Sequence, residues 1–327
     1  MVSRTPSPAH LSNLMTPDHL IPGNRSHEQI ALVALLQAGT LPRAHLAGMV
    51  EQMGSAVRLL SCAYSSAIGA GEQPALFDLV PDEARKKAAL EVASWTALPF
   101  QVSTVLDEAY PFQLRVIHNR PPLLFTEGDA NALTSAPGVA VVGTRAATDK
   151  GKLRAAKLVR SFGEAGLTIF SGLAAGIDTV AHTEALRIGA RTVAVFGTGL
   201  RKVFPKENAV LARDIVRAGG ALVSQFLPDQ HGATWTFPVR NVTMSGLSLA
   251  TVVVEAGATS GARMQARVAL EHGRAVFLLQ SLVEEHTWAQ AMVETGVGNV
   301  RARVLRNPSD LVDGLSPDAE LPELALA

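Results

Sequence analysis

Between residues 137 and 280 the apolar positions recur in short, β-branched runs separated by amphipathic stretches. The runs are Val139–Val142, Leu167–Phe170, Thr192–Phe196, Ala221–Val223, Leu249–Val254 and Ala275–Leu279. Helical spacing fills most of the gaps, at Lys150–Ala165, Thr179–Ile188, Glu207–Ala218 and Ser260–Glu271. Strands that are apolar on both faces and alternate with helices predict a parallel sheet covered on both sides. The expected fold class is therefore α/β, a doubly wound and mainly parallel sheet, with a small helical domain before it.

That N-terminal module is legible in its own pattern. Ile30, Leu32, Val33, Leu35 and Leu36 predict a helix ending near Gly39, with Pro42 beyond it. Leu46, Met49, Val50 and Met53 give a second helical stripe that Gly54 ends, Val57–Ala63 a third, and residues 82–94 a fourth after Pro81. Helix-hairpin-helix and SAM-like packing both fit, and periodicity does not choose between them. Tyr110 to Gly128 is turn-rich, with Pro121-Pro122 before the short apolar run Leu123–Phe125, and reads as a lead-in to the next domain. The expected organisation is a disordered leader at 1–25, a helical module at 26–108, the α/β domain at 109–300 and an acidic, frayed tail at 301–327.

Composition narrows the classes. The chain has 327 residues, of which 47% are apolar, enough for two domains. The single cysteine, Cys62, excludes an intrachain disulfide and a multi-Cys metal site, and its apolar neighbours suggest a small buried side chain. No apolar run nears the roughly 18 residues that span a bilayer, and residues 1–22 carry no signal-peptide core. A soluble cytoplasmic protein is expected. Net charge is zero, yet residues 139–280 hold 17 Lys/Arg against 9 Asp/Glu, a net of +8 between acidic flanks of −3 and −5. Local sign governs the attraction of an anion, so the basic centre points to an anionic ligand.

In a doubly wound sheet the ligand sits outside the carboxyl ends of the strands. Three glycine-containing loops fall there. Gly143-Thr144-Arg145 could hold a phosphate through its amides and Arg145. Ser171-Gly172-Leu173-Ala174-Ala175-Gly176-Ile177-Asp178 is a candidate anion-binding turn, and Gly197-Thr198-Gly199 is a third tight loop. Asp178 and His182, at i and i+4, share a helix face and are candidates for an acid–base pair, or for a helix cap and a packed imidazole. Glu255 is a further candidate carboxylate. The G-x-G-x-x-G dinucleotide loop and the Walker A lysine are both missing. Trp235-Thr236-Phe237-Pro238-Val239-Arg240-Asn241 interrupts the strand–helix rhythm and sets two of 16 aromatics beside an arginine and an asparagine. That is the chemistry of single-strand binding, or else a pair of core plugs under a loop.

Taken together these motifs resemble the DNA-processing protein A (DprA/Smf) family. The matching pieces are YPFQL (110–114), PPLLFTEG (121–128), VAVVGTRAAT (139–148), SGLAAGID (171–178), AH (181–182), TVAVFGTGL (192–200), FPKEN (204–208), FPVRN (237–241), GLS (246–248) and VVVEAGATSG (252–261). The resemblance implies an extended Rossmann-like domain without cofactor or metal, non-catalytic, that binds single-stranded DNA and passes it to the recombinase RecA in natural transformation as a homodimer. It implies DNA or phosphate contacts from Gly143, Thr144, Arg145, Ser171, Gly172 and Gly176, a base stacked on Phe237, and a wall made by Arg240 and Asn241. The family's usual RNR reads Arg240-Asn241-Val242 here, and Ser224-Gln225 stands for the usual Ser-Glu. The alternative is a nucleotide-binding or nucleotide-hydrolysing Rossmann-like protein, which rests on Asp178, His182 and Glu255 as reactive groups.

Overall fold

The computed structural model describes residues 20–39, 41–61 and 80–314. Cys62 and the expected leader up to residue 19 lie outside them. The chain divides into two compact units, Met1–Tyr110 with Pro121–Leu123, and Pro111–Arg120 with Leu124–Ala327.

The first unit holds α1 (Arg25–Ala38), α2 (Arg43–Met53), α3 (Ala56–Ser61), α4 (Asp82–Ser94) and one strand, β1 (Phe100–Thr104). Asn24 caps α1 by accepting the His27 amide, so helix begins where the leader was expected to end. Every residue of α1 from Glu28 to Leu35 is buried, which makes it the centre of the unit, packed against α3 and α4. A carboxylate survives there because Glu28 caps another helix. It accepts from Ser55 Oγ (2.6 Å) and from the Ala56 (2.6 Å) and Val57 (3.2 Å) amides at the start of α3. Charge-assisted bonds to helix-start amides offset the cost of burying the carboxylate. β1 was not expected from the apolar pattern, because only Thr104 of its five residues is buried and the others are partly buried or exposed.

In the second unit the elements run α5 (Phe112–Arg115), β2 (Leu123–Gly128), β3 (Gly138–Val142), α6 (Asp149–Glu164), β4 (Thr168–Ser171), α7 (Ile177–Arg187), β5 (Thr192–Val195), α8 (Ala209–Arg217), β6 (Ala221–Ser224), α9 (Thr236–Leu247) and β7 (Ala250–Val253). They continue with α10 (Gly261–Glu271), β8 (Ala275–Leu279), α11 (Gln280–Glu285), α12 (Thr287–Glu294), β9 (Arg303–Leu305) and α13 (Ser309–Gly314). The strands lie in the order β2-β6-β5-β4-β3-β7-β8-β9. All neighbours are parallel except β2, which runs antiparallel to β6 with Phe125 opposite Ser224. Every residue of β3, β4, β5, β6 and β7 is buried, as a sheet covered on both faces requires. On one face α6 and α7 set Val159, Phe162, Ile177, Ala181 and Ala185 against Val139, Val141, Ile169 and Val252. The chain winds outward from β3 through β6, then returns to β7 on the other side of β3, so the switch point lies between β3 and β7.

Two expectations are corrected here. The segment from 301 does not fray at once, because β9 pairs with β8 and Leu305 and Leu311 join the core. Its three residues are too short and too mixed in polarity to stand out in the sequence. The stretch around Phe237 is a helix, α9, and not a break in the rhythm. Pro238 is tolerated there because it sits in the first turn, where its missing N–H has no partner to lose.

Replacing Glu28 with Ala leaves three buried donors at the head of α3 without their acceptor. We expect a loss of about 2–4 kcal/mol from the helical unit. Urea denaturation followed by far-UV circular dichroism measures it, and an unchanged midpoint refutes the capping role.

Candidate nucleic-acid interface

The switch point opens into a cleft of about 450 Å³. One wall is the β3 loop, Gly143, Thr144 and Arg145, with Ala174 and Asp178 from the next loop behind it. α9 supplies Phe237, Pro238, Arg240, Asn241 and Met244, and the head of α10 with its preceding loop supplies Gly257, Thr259, Ser260, Ala262, Met264 and Gln265. The α10 side was not anticipated from the sequence. Its signal was GATSG at 257–261, a glycine-rich turn leading into a helix, which is the pattern that approaches anionic ligands. A smaller cleft of about 240 Å³, with Arg154, Lys157 and Arg306 on its rim, lies at the ends of β8 and β9.

Close backbone contacts hold the β3 loop in place. The Thr144 amide donates to the Glu255 carbonyl (2.7 Å) and its own carbonyl accepts from Ile177 (3.3 Å). A methyl group on Gly176 would come within 2.3 Å of the Thr144 carbonyl oxygen and 2.6 Å of that of Arg145, and its φ of +79° disfavours any other residue. Gly176 is thus a spacer that seats the second loop against the Arg145 loop, and it does not line the cleft. Arg145 is exposed, and its guanidinium lies 5.4 Å from the centre of the Phe237 ring. Phe204 at 5.7 Å also borders that ring, as do Gly197, where a methyl group would come within 2.6 Å of it, and Gly232, where one would come within 3.3 Å. A planar group can therefore reach the Phe237 face by replacing the Arg145 guanidinium.

Arg240 is the centre of the site. Its guanidinium donates to the Gly172 and Val195 carbonyls (2.9 Å each) and through Nε to Asn241 Oδ1 (3.1 Å). Burial lowers its pKa from the usual arginine value, and the nearby Arg145 charge acts in the same direction while Asp178 opposes both. Asp178 is buried and accepts the Gly172 (3.1 Å) and Ala174 (3.4 Å) amides. Burial raises its pKa against the pull of Arg240 and those amides.

Several sequence expectations are corrected by these partners. Ser171 is fully buried with its hydroxyl on the Val141 carbonyl, and the Gly172 amide is held by Asp178, so neither residue lines the cleft. His182 is not paired with Asp178. Its Nδ1 lies 2.8 Å from Thr192 Oγ1, and that hydroxyl already donates to the Ile169 carbonyl. Nδ1 must therefore carry the proton in a neutral ring. Burial depresses the His182 pKa to about 3. Glu255 turns away from the cleft and accepts the amide and hydroxyl of Thr148, tying the head of α6 to the end of β7. The helix start favours that carboxylate. Gln225, in place of the usual Glu, donates to the Val239 carbonyl (2.6 Å) in the first turn of α9. Among the described residues no helix is long and apolar enough to cross a membrane, and no three His, Cys, Asp or Glu side chains converge as metal ligands.

Fold and cleft together define a doubly wound α/β protein with a basic, partly aromatic ligand site at the switch point. The profile of the family described as DNA recombination-mediator protein A matches residues 101–316, and the chain belongs to that family. Protein Smf of Escherichia coli (strain K12) is 44% identical over 172 residues, which is 53% of this chain and 46% of that protein. DNA processing protein DprA of Streptococcus pneumoniae is 39% identical over 180 residues, 55% of this chain and 63% of that one. The match thus spans less than two thirds of either relative. The X-ray structure of DNA processing protein A from Streptococcus pneumoniae aligns with a TM-score of 0.67 at 26% identity, covering 87% of this chain and 97% of that chain. The Helicobacter pylori DNA processing protein A, studied for its single-stranded DNA binding mode, aligns with a TM-score of 0.57 at 27% identity, covering 66% and 96%.

The buried imidazole yields a pH prediction. Unfolded, His182 takes up a proton as pH falls through about 6.5, whereas folded it resists until about 3. The unfolded state binds more protons in that window, so stability falls as pH drops from about 6.5 towards 3. His182→Asn cannot titrate, and its unfolding free energy should fall less than the wild type's between pH 7 and pH 4.5. Parallel curves for the two proteins contradict the assignment of a neutral buried ring.

Proposed function

We propose that this chain is a non-catalytic mediator of DNA recombination that holds single-stranded DNA in the switch-point cleft. In this reading Arg145 leaves the Phe237 ring to bind a phosphate, and the Gly143 and Thr144 backbone leaves room for the strand. A base takes the vacated ring face, while Arg240 and Asn241 form the rigid wall beside it. The observation that carries the reading is the exposed Arg145 guanidinium over Phe237 at the mouth of the cleft. It is supported by the excess of cations in residues 139–280 and by the Helicobacter pylori relative, whose structure concerns single-stranded DNA.

Phosphate contacts with counterion release supply affinity, and stacking adds to it without demanding a sequence. No bond is made or broken. The strand is shielded in the cytoplasm and handed to RecA during natural transformation, with the protein acting as a homodimer. The homodimer, the cytoplasmic setting and the hand-over to RecA are what the family resemblance implies, and they are part of the proposal.

Fluorescence anisotropy of a labelled oligo-dT at several salt concentrations tests it. Wild-type affinity should fall steeply with salt. Arg145→Ala should weaken binding and reduce the log–log salt slope by about 0.7–1, the share of one phosphate. Phe237→Ala should cost about 1–3 kcal/mol and leave the slope unchanged, as lost stacking does. Salt-independent binding, or a slope that Arg145→Ala does not alter, overturns the reading.

A further inference from the structure

Gln265 is the anomaly of the cleft. It sits on α10, lines the cavity, and is only 1% exposed. Neither its Oε1 nor its Nε2 has a hydrogen-bond partner among the described residues. Among the described side chains with a buried, unpartnered polar atom, it is the one that lines the cleft and the one left bare at both heteroatoms. A buried amide with nothing to bind is costly, and an apolar side chain of the same size would remove that cost.

The surroundings indicate what it waits for. Gly257 and Gly261 flank the head of α10, and a methyl group added at either would meet nothing within 4 Å. Neither has a positive φ, so the fold itself gives no reason for glycine at these positions. Their small size leaves room for a ligand to come close. Met244 and the half-exposed Met264 line the cleft as adaptable apolar surfaces. In the same lining, the buried Gln265 amide offers one acceptor and two donors side by side. A phosphate presents only acceptors and would leave Oε1 unpaired. The edge of a nucleobase presents a donor next to an acceptor and satisfies both ends of the amide.

Building on the DNA-binding reading above, we propose that Gln265 is a base-reading residue: it pairs with the polar edge of one unstacked nucleobase that enters the cleft beside the head of α10. The cleft thus holds DNA by two separable means, phosphate at the Arg145 mouth and a base edge at the Gln265 floor. An unsatisfied amide is kept in the free protein because the ligand completes it, a cost in stability retained for binding.

The experiment compares wild type with Gln265→Met, which keeps length and volume without the amide. Each is titrated with an oligo-dT and with an abasic chain of equal length and charge. Wild type should prefer the dT chain, and Gln265→Met should reduce that preference roughly 5- to 100-fold. Affinity for the abasic chain and its salt dependence should stay as in wild type. Unfolding in urea should show Gln265→Met at least as stable as wild type, the opposite of what loss of a structural hydrogen bond produces. If the methionine variant does not fold, Gln265→Asn, which withdraws the amide by one methylene, should reduce the preference in the same sense. A folded variant with an unchanged dT preference, or a destabilised one, overturns base reading while leaving DNA binding intact. Failure of wild type to bind either chain overturns the DNA reading, and this inference with it.

Discussion

The site depends on one half-buried cation. Arg240 lies on α9, yet its guanidinium bonds to backbone carbonyls at the ends of β4 and β5 and to the neighbouring Asn241. A guanidinium partly withdrawn from water is tolerated when hydrogen-bond acceptors and an opposite charge offset the lost hydration. Here the two carbonyls take Nη1, Asn241 takes Nε, and Asp178 supplies the opposite charge while gathering the amides of its own loop. Two loops and a helix that meet nowhere in sequence are fixed as one wall.

That constraint divides the work between two arginines that look alike in the sequence. Arg240 is spent on the protein and so gives the cleft its shape. Arg145 stays exposed on a loop seated by Gly176 and the Glu255 carbonyl, with only an aromatic face beneath it. A cation resting on a ring is weakly held compared with one bonded to carbonyls, which is what the proposed move of Arg145 to a phosphate requires. The carboxylates near the switch point follow the same logic. Asp178 and Glu255 each bind backbone amides, so both carboxylates are engaged by the protein itself.

The parallel sheet was legible because its strands are buried on both faces and read as unbroken apolar runs. α6, α7, α8 and α10 were legible from helical spacing. β1 and β9 leave no such run because they are half-exposed or only three residues long, and nothing local marks the Leu123–Phe125 run as an antiparallel edge. α9 was missed because proline and clustered aromatics disguise a first turn. Within the site, the three strand-end loops were found as glycine-rich turns, but their individual roles were not. Whether Ser171, Gly172 or His182 faces a ligand or the protein depends on partners such as Val141, Asp178 and Thr192, which spacing along the chain does not reveal. The α10 side went unread because its informative feature, a buried amide lacking a partner, exists only once the helix is packed.

The central claim is that one cleft between β3 and β7 receives the DNA strand. Photo-crosslinking answers it most directly: a halogenated-uracil oligonucleotide is irradiated with the full chain and the modified peptides are mapped by mass spectrometry. Adducts are expected only within residues 142–145, 237–244 and 257–265. Adducts concentrated on α8, on β2 or on the helices of the first unit would contradict it.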